Sequence, residues 1–448
     1  MSTPRPIPHA GLAFTLRQLP RVRGDRMGIF ADLVREYGDV AAIRLGPVVL
    51  HVFNRPEHAQ HVLQTAYRNY HKDPHVIGPV EQFTGRTMFT SDGEPWLQQR
   101  RLMQPGFHRK RLDEVAHQAT LAAEAALDRW RAAGDTPLDM QQELSRMTLE
   151  FIGHALFHVD LSGDASALGR AFVTGNEYAI YHIDVPIAPP PAVPTRRNRQ
   201  FKAAMQTIDG FLLDLIAQRE AAAEPPDDLL TMLLEARDEE TGEGMPRAQV
   251  RNECLSLFSA GHDSTASTLM WALVLLSQHP EVEARLLEEV DAVLADRPAT
   301  LDDLKSLVYT RQVLDETLRL YPPGWALPRM AVEADVIEGW AVPARANVTL
   351  SVAAMHRHPA LWEAPDAFRP ERFAPGADAE RHRYQYIPFG GGPRQCIGKR
   401  LALTVATLIL PTLLRRVQLK LTPGHPIETE TVLGLHAKHG APMTRLWR

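Results

Sequence analysis

Cysteine is nearly absent from this chain: Cys254 and Cys396 are the only two among 448 residues. Two thiols cannot build a disulfide framework, and they exclude a structural zinc site made mostly of cysteine. An excess of one charge sign is also missing. A net charge of -5 gives no global case for nucleic-acid binding. No stretch reaches the roughly 18 uncharged apolar residues that a membrane span needs. The N-terminal MSTPRPIPHAGLAFTLRQLPRVRG carries proline and arginine where a signal peptide needs an apolar run. These absences fit a reducing cytoplasm. No Gly/Ser linker, low-complexity block or repeat divides the chain, so residues 1–448 read as a single domain with an irregular segment at 1–24. Nothing in the sequence demands an oligomer, and a monomer is expected.

Helix signals dominate what is there. MGIFADLVREYG (27–38) reads as a short amphipathic helix stopped by Gly38. VAAIRLGPVVLHVFN (40–54) reads as a hairpin around Gly-Pro. Helices are expected from 94, interrupted at Pro105, through TLAAEAALDRWRAA and MQQELSRMTLEFIGHALF, and over about 197–220. The run from 248 to Pro280 is helix-compatible throughout, and its second half is apolar on nearly every face, so it is expected to cross the core. PEVEARLLEEVDAVLAD and LDDLKSLVYTRQVLDETLRL read as the next two helices. Strand-like text follows Pro323, then a long ordered non-helical stretch to about 388, a last helix over roughly 398–416, and a tail of strands and turns. The fold class is mainly α with a minor β portion.

FGGGPRQCIG (389–398) surrounds one of the two cysteines with glycine. Gly390, Gly391 and Gly392 permit tight or left-handed backbone, and Pro393 stiffens the exit. Cys396 falls just before a helix, whose free amides favour a thiolate. Gly398 lets a flat group approach the backbone, and Arg394 suits a carboxylate at that group's edge. A soft sulfur held against a large planar metal complex is the chemistry of haem iron with an axial cysteine. A buried structural cysteine in a glycine turn is the plainer reading of a lone thiol. Here the neighbours complete a pattern: Phe389, Gly392, Arg394, Cys396 and Gly398 resemble, without departure, the signature of the cytochrome P450 family.

Three further constellations carry the resemblance, which covers about residues 25–445. ETLR (316–319) places Glu316 and Arg319 on one helix face. By itself that is an ordinary surface pair. In the family it forms a buried network with an arginine from a later loop, which the FRPERF segment supplies here as Arg372. AGHDST (260–265) puts a glycine, an acid and two hydroxyls in the middle of the core helix. The bland reading is a kink with locally satisfied side chains. The functional reading gives Ala260 and Gly261 the task of leaving room for the macrocycle, and a hydroxyl the task of opening the helix ladder and orienting water. Asp263 links that water to bulk solvent. The family usually has threonine after the acid. This chain has Ser264, which is expected to take the role with less rotamer stiffness. Thr265 is one step, about 100° of helix turn, away. Trp96 and Arg100 form an i,i+4 pair and Arg329 follows Pro328. The resemblance implies that they, with Arg394, bind haem propionates. Alone, the Trp-Arg pair would more often be packing.

The resemblance implies a cytochrome P450 fold and a stand-alone haem b domain. It further implies a monooxygenase that uses O2, with Cys396 as the axial iron ligand. It also implies electrons from an external ferredoxin or flavodoxin and its NAD(P)H-dependent reductase. Arg394, Lys399 and Arg400, extended by RKR (109–111), form the basic face expected to receive that donor. Phe89, Ser256, Gly324, Trp325, Ala326, Val432 and Leu433 are the candidate substrate-pocket residues, with Phe83 and Tyr181 as weaker choices. No lysine or arginine stands among the pocket candidates, so an apolar substrate, fatty acid or terpenoid, is expected to be hydroxylated or epoxidised. A peroxide-driven peroxygenase is the nearest alternative, and the Asp263–Ser264 pair argues against it. A non-catalytic haem sensor or carrier would need neither that pair nor a basic docking face.

Overall fold

The computed structural model describes residues 3–107, 112–161, 165–185 and 187–448. The chain forms two compact units. One comprises Met1–Val76, Arg311–Lys399 and Pro426–His439; the other comprises Ile77–Thr310, Arg400–His425 and Gly440–Arg448. Helix predominates, with a minor β portion, as the periodicity predicts. Among the described residues no helix is long and apolar enough to cross a membrane.

The first unit is built on a five-stranded mixed sheet. Its order is Val40–Leu45, Val48–Phe53, Asn347–Leu350, Leu327–Ala331, Tyr70–Lys72. The expected hairpin at 40–54 is present, with Val40 opposite Phe53 and Leu45 opposite Val48. Strands Val48–Phe53 and Asn347–Leu350 run parallel and the other pairs antiparallel. Alternation along a strand sends side chains to opposite faces. Accordingly Val40 and Ala42 join one apolar cluster with Tyr70 and Val348, while Ala41 and Ile43 join another with Phe14, Phe30 and Trp325. The helix expected at 27–38 spans Arg26–Tyr37, begun by Asp25, which accepts from the Gly28 amide, and stopped at Gly38. Residues 1–24 are not wholly irregular: Leu12–Gln18 is helical because Phe14 and Gln18, four apart, bury one face.

The second unit centres on the helix Arg247–Gln278, the core helix. Its 32 residues span about 48 Å at 1.5 Å each. From Thr265 to Leu276 every residue is buried, so this half is the apolar axis of the unit. Phe258 stacks on Phe157 at 4.2 Å between ring centroids, joining the core helix to helix Met140–Phe157. Helix Ala165–Asp184, not among the helices expected from the sequence, packs on Arg196–Ala221 through stacked Tyr178 and Phe201, 3.8 Å apart. The tail contributes strands Val417–Leu421 and Pro442–Trp447, joined by the short Leu138–Asp139.

One expected helix is divided. LDDLKSLVYTRQVLDETLRL forms a 3₁₀ turn, Leu301–Lys305, and a separate helix, Val308–Leu320. Thr300 and Asp303 make a reciprocal capping box on the first. Glu289 starts the second from outside, accepting from the amides of Tyr309 at 2.6 Å and Thr310 at 2.8 Å. The stretch expected to be non-helical to 388 holds one short helix, Val352–Met355, and a 3₁₀ turn, Pro370–Phe373.

Helix Val308–Leu320 brings Glu316 and Arg319 together, both 0% exposed. Arg319 donates twice to the Glu316 carboxylate, at 2.7 and 2.8 Å. Arg372 Nε at 3.2 Å and the Arg369 amide at 2.9 Å reach the same carboxylate. The remaining Arg319 hydrogens go to the carbonyls of His356, Pro365 and Ala367. An anion and cation held this deep are tolerated because each hydrogen-bonding group has a partner. Burial pushes the nearby His356 imidazole down to about 3, so it stays neutral at pH 7 and its Nε2 accepts from the Ile387 amide at 3.0 Å. Glu316→Ala is expected to lower stability by about 3–5 kcal/mol, because it leaves Arg319 buried and uncompensated. Glu316→Gln, which keeps one acceptor oxygen for these donors, is expected to cost less. Thermal unfolding of the two variants checks the order.

Candidate active site

The cysteine loop lies in the first unit. Its backbone is closed by the Cys396 amide donating to Phe389 O at 3.0 Å and by Gln395 N donating to Gly392 O at 3.1 Å. Gly392 has φ of +66°, and a Cβ there would stand 1.8 Å from Leu63 O. Only glycine fits, on both counts. Leu63 belongs to the π-turn His61–Thr65, a rare geometry that carries its carbonyl against the loop. A Cβ on Gly391 would meet the Tyr384 ring at 2.6 Å. So two of the three consecutive glycines are required by close packing beneath the loop. Cys396 is exposed on the loop, whereas Cys254 is buried. Burial drives the Cys254 thiol well above the usual range, which makes it an inert core residue. Helix Lys399–Leu414 begins three residues after Cys396.

Cations gather on the same unit. Arg394 is anchored through Nη1 to Tyr70 O at 2.8 Å, and Arg329 through Nη1 to Pro328 O at 2.8 Å. Strand pairing sets Lys72 directly opposite Arg329. The sequence does not single out Lys72. No local signal marks it, because the register joining 70–72 to 329–331 is a long-range pairing. An exposed soft sulfur on a glycine-braced loop, with arginine side chains on the same unit, fits a planar metal complex with carboxylates at its edge. The residues present therefore fit haem.

The second unit holds the remaining motif residues. Helix Gly93–Met103 puts Trp96 and Arg100 on one face, Trp96 buried and Arg100 half-buried. On the core helix the AGHDST residues divide between two faces. Gly261 and Thr265 face inward: a Cβ on Gly261 would stand 2.9 Å from Ile152 Cδ1, and Thr265 is buried with its hydroxyl on Gly261 O at 2.8 Å. The space that Gly261 opens is thus taken by helix Met140–Phe157. Ala260 is exposed, and Ser256, Asp263 and Ser264 are half-buried on the neighbouring positions. Ser264 Oγ donates to Ala260 O at 2.8 Å. The helix is unbroken from 247 to 278, so the expected opening of the ladder by a hydroxyl is not seen. His262 is buried, with Nδ1 on Phe258 O at 2.7 Å and its carbonyl accepting from Thr148 at 3.0 Å.

The pocket candidates divide likewise. Phe89 and Ser256 are in the second unit; Gly324, Trp325, Ala326, Val432 and Leu433 are in the first. Trp325 is packed in the apolar cluster, 5.9 Å from Phe30 between ring centroids, and its Nε1 makes a long 3.4 Å contact with Val432 O. Phe83 is buried, and Tyr181 lies under the Arg197 guanidinium at 3.8 Å. A groove of about 400 Å³ on the second unit is lined by Phe83, Met205, Leu213, Asp209 and Arg251 among others, and by none of the main pocket candidates. Lys399 and Arg400 are exposed and Arg394 half-buried. The basic segment 109–111 lies outside the described residues.

Comparison with known proteins agrees with this inventory. The chain is 33% identical to cyclooctatin synthase of Streptomyces melanosporofaciens over 437 residues, covering 97% of this chain and 93% of that protein. It is 33% identical to cyclooctat-9-en-7-ol 5-monooxygenase of the same organism, over 87% of this chain and 84% of that one. Identity to pentalenene oxygenase of Streptomyces avermitilis is 30%, over 90% of each. Among solved structures, the crystal structure of the cytochrome P450DA heme domain matches with a TM-score of 0.91 at 25% identity, covering 100% of this chain and 98% of that one. The cytochrome P450 family profile matches residues 1–440. With the cysteine loop, the buried Glu-Arg-Arg network and these matches in place, the chain is a haem-dependent monooxygenase and belongs to the cytochrome P450 family.

Proposed function

We propose that Cys396 is the axial thiolate of the haem and that the enzyme hydroxylates or epoxidises a terpenoid-type apolar substrate. The exposed thiol on a loop that only glycine can build carries the first half of this reading. Names among the relatives support the second: pentalenene oxygenase and cyclooctat-9-en-7-ol 5-monooxygenase point to alicyclic hydrocarbon skeletons rather than straight acyl chains. The residue types of the pocket candidates support it too: Phe89, Ala326, Val432 and Leu433 are apolar, and none supplies a cation for a carboxylate.

When bound, haem supplies oxygen activation and insertion of one oxygen atom, with thiolate donation favouring O–O cleavage. The chain's own side chains hold, orient and deliver. Arg329, Arg394, Lys72, Trp96 and Arg100 are the donors for the propionate carboxylates. Ser264 Oγ, whose bond to the Ala260 carbonyl leaves its lone pairs free to accept, holds a water on the open face of the core helix. Asp263, the preceding residue, passes protons to that water from solvent. Proton transfer by a positioned group contributes about 10²–10⁴-fold. Apolar side chains exclude other water from the reacting carbon. Arg394, Lys399 and Arg400 attract an acidic external ferredoxin or flavodoxin served by a reductase.

Cys396→Ala is expected to abolish the thiolate-type spectrum of the reduced, carbon monoxide-bound protein; its persistence would refute the ligand assignment. Ser264→Ala is expected to raise peroxide release and to lower product per oxygen consumed by about 10-fold or more. Unchanged coupling would put the proton path elsewhere. The substrate class is tested by titrating the haem protein with limonene and with dodecanoic acid while following the iron spin state. A saturable low-to-high-spin shift with limonene alone is expected, and a shift with dodecanoic acid alone would move the assignment to fatty acids.

A further inference from the structure

We infer that Glu253 is a specificity-determining positioning residue: its buried carboxylate holds the backbone at Met88 and thereby aims Phe89. The inference rests on the reading of Phe89 as a substrate-limiting side chain.

The segment 85–91 is a tight loop whose shape is largely made by its own hydroxyls. Thr87 N donates to Thr90 Oγ1 at 2.8 Å, Thr90 Oγ1 reaches Gly85 O at 3.2 Å, and Ser91 N donates to Thr87 O at 2.8 Å. Thr87 and Thr90 are both buried. Gly85 enters the loop at φ of +76°, and a Cβ there would stand 2.4 Å from Asn252 Nδ2 on the core helix. The loop is thus fitted against the first turns of that helix.

Its tip is held by a charge. Met88 N donates to Glu253 Oε1 at 2.8 Å, and Glu253 is 1% exposed. Gln249, one turn earlier, donates through Nε2 to the same Oε1 at 2.7 Å and to Arg86 O at 2.9 Å. A carboxylate is an expensive group to bury, and it is tolerated where charge-assisted hydrogen bonds satisfy it. Phe89, the residue after the anchored amide, is 54% exposed. A large apolar side chain so little covered is aimed by its backbone, and that backbone is tied to Glu253.

The same helix presents Ser256 and Ala260 three and seven residues after Glu253, and Asp263 and Ser264 just beyond. One rigid helix therefore sets both the substrate-limiting ring and the proposed proton relay. Loosening the anchor changes where a substrate rests relative to the relay, without touching the cysteine loop.

Full-length haem-loaded Glu253→Leu, Glu253→Asp and Glu253→Gln test this. Trypsin cleavage after Arg86, whose side chain is 71% exposed, reads the loop without any catalytic turnover. Glu253→Leu is expected to cleave there about 10-fold faster or more, the loss of a hydrogen bond to a charged acceptor. Limonene is expected to bind it more weakly by spin-state titration and to give an altered ratio of oxidised positions. Glu253→Asp keeps the charge but draws it back by one methylene, and is expected to shift all three readouts in the same direction. Glu253→Gln keeps an oxygen for the Met88 amide but gives up the charge, and is expected to fall between wild type and Glu253→Leu. The reduced carbon monoxide spectrum should remain thiolate-type in every variant. Wild-type cleavage, affinity and product ratio in Glu253→Asp or Glu253→Leu would overturn the inference. Faster cleavage with unaltered affinity and products would overturn Phe89 as the substrate-limiting side chain, while leaving the anchor intact.

Discussion

A buried carboxylate with four donors is the constraint on which the first unit depends. Glu316 has no water to fall back on, so Arg319, Arg372 and the Arg369 amide must stay where they are. Arg319 in turn fixes the carbonyls of His356, Pro365 and Ala367. The irregular run from 356 to 387 has little secondary structure of its own to hold it. It is held instead by these bonds, by the neutral His356 accepting from Ile387 N, and by Tyr386 donating to the Asp315 carboxylate at 2.9 Å. Ile387 stands two residues before the cysteine loop. A buried charge network thus fixes the path of the chain that leads into the cysteine loop. Surface ion pairs of the same residue types would be too weak for this, and a purely apolar core would not specify one path for so irregular a chain.

In the second unit the equivalent constraint is steric and lies along the core helix. Its inward face meets helix Met140–Phe157 so closely that a Cβ on Gly261 would have to displace the Ile152 side chain, and Thr148 donates across the contact to His262 O. That contact fixes the rotation of the helix. Rotation fixed in this way determines which residues face outward: Ala260, Asp263 and Ser264 on one side, Gly261 and Thr265 on the other. Adjacent hydroxyls at 264 and 265 therefore have different fates, one half-buried on the open face and one locked in the core. Ser264 thus keeps its hydroxyl on the open face of the helix.

Much of this was legible in the sequence because it depends on local chemistry. Helical periodicity located the core helix within a residue or two, Gly46 and Pro47 marked the hairpin, and the Phe389–Gly398 pattern singled out Cys396 from two cysteines. The Glu316–Arg319 spacing placed two network members on one helix face, and the motif order supplied Arg372. Less legible were elements whose boundaries are decided from outside. The break at Ser306–Leu307 follows from Glu289 capping a neighbouring helix, and the helix Leu12–Gln18 follows from burial of Phe14 and Gln18 against the first unit's core.

The sequence by itself determined the kinds of residue available for the chemistry: one thiol among glycines, an acid beside a hydroxyl, and arginines at set distances along the chain. These are covalent facts, and short-range spacing preserves them whatever the fold. Only the tertiary structure decided why glycine is needed at 392 and why Gly261 packs so closely, since their neighbours are Leu63 O and Ile152, remote in sequence. Tertiary structure also decided that Lys72 stands beside Arg329, and that Glu253 holds Met88. Each of these depends on strand register or helix rotation, which are set by the packing of distant segments and leave no periodic mark in the chain.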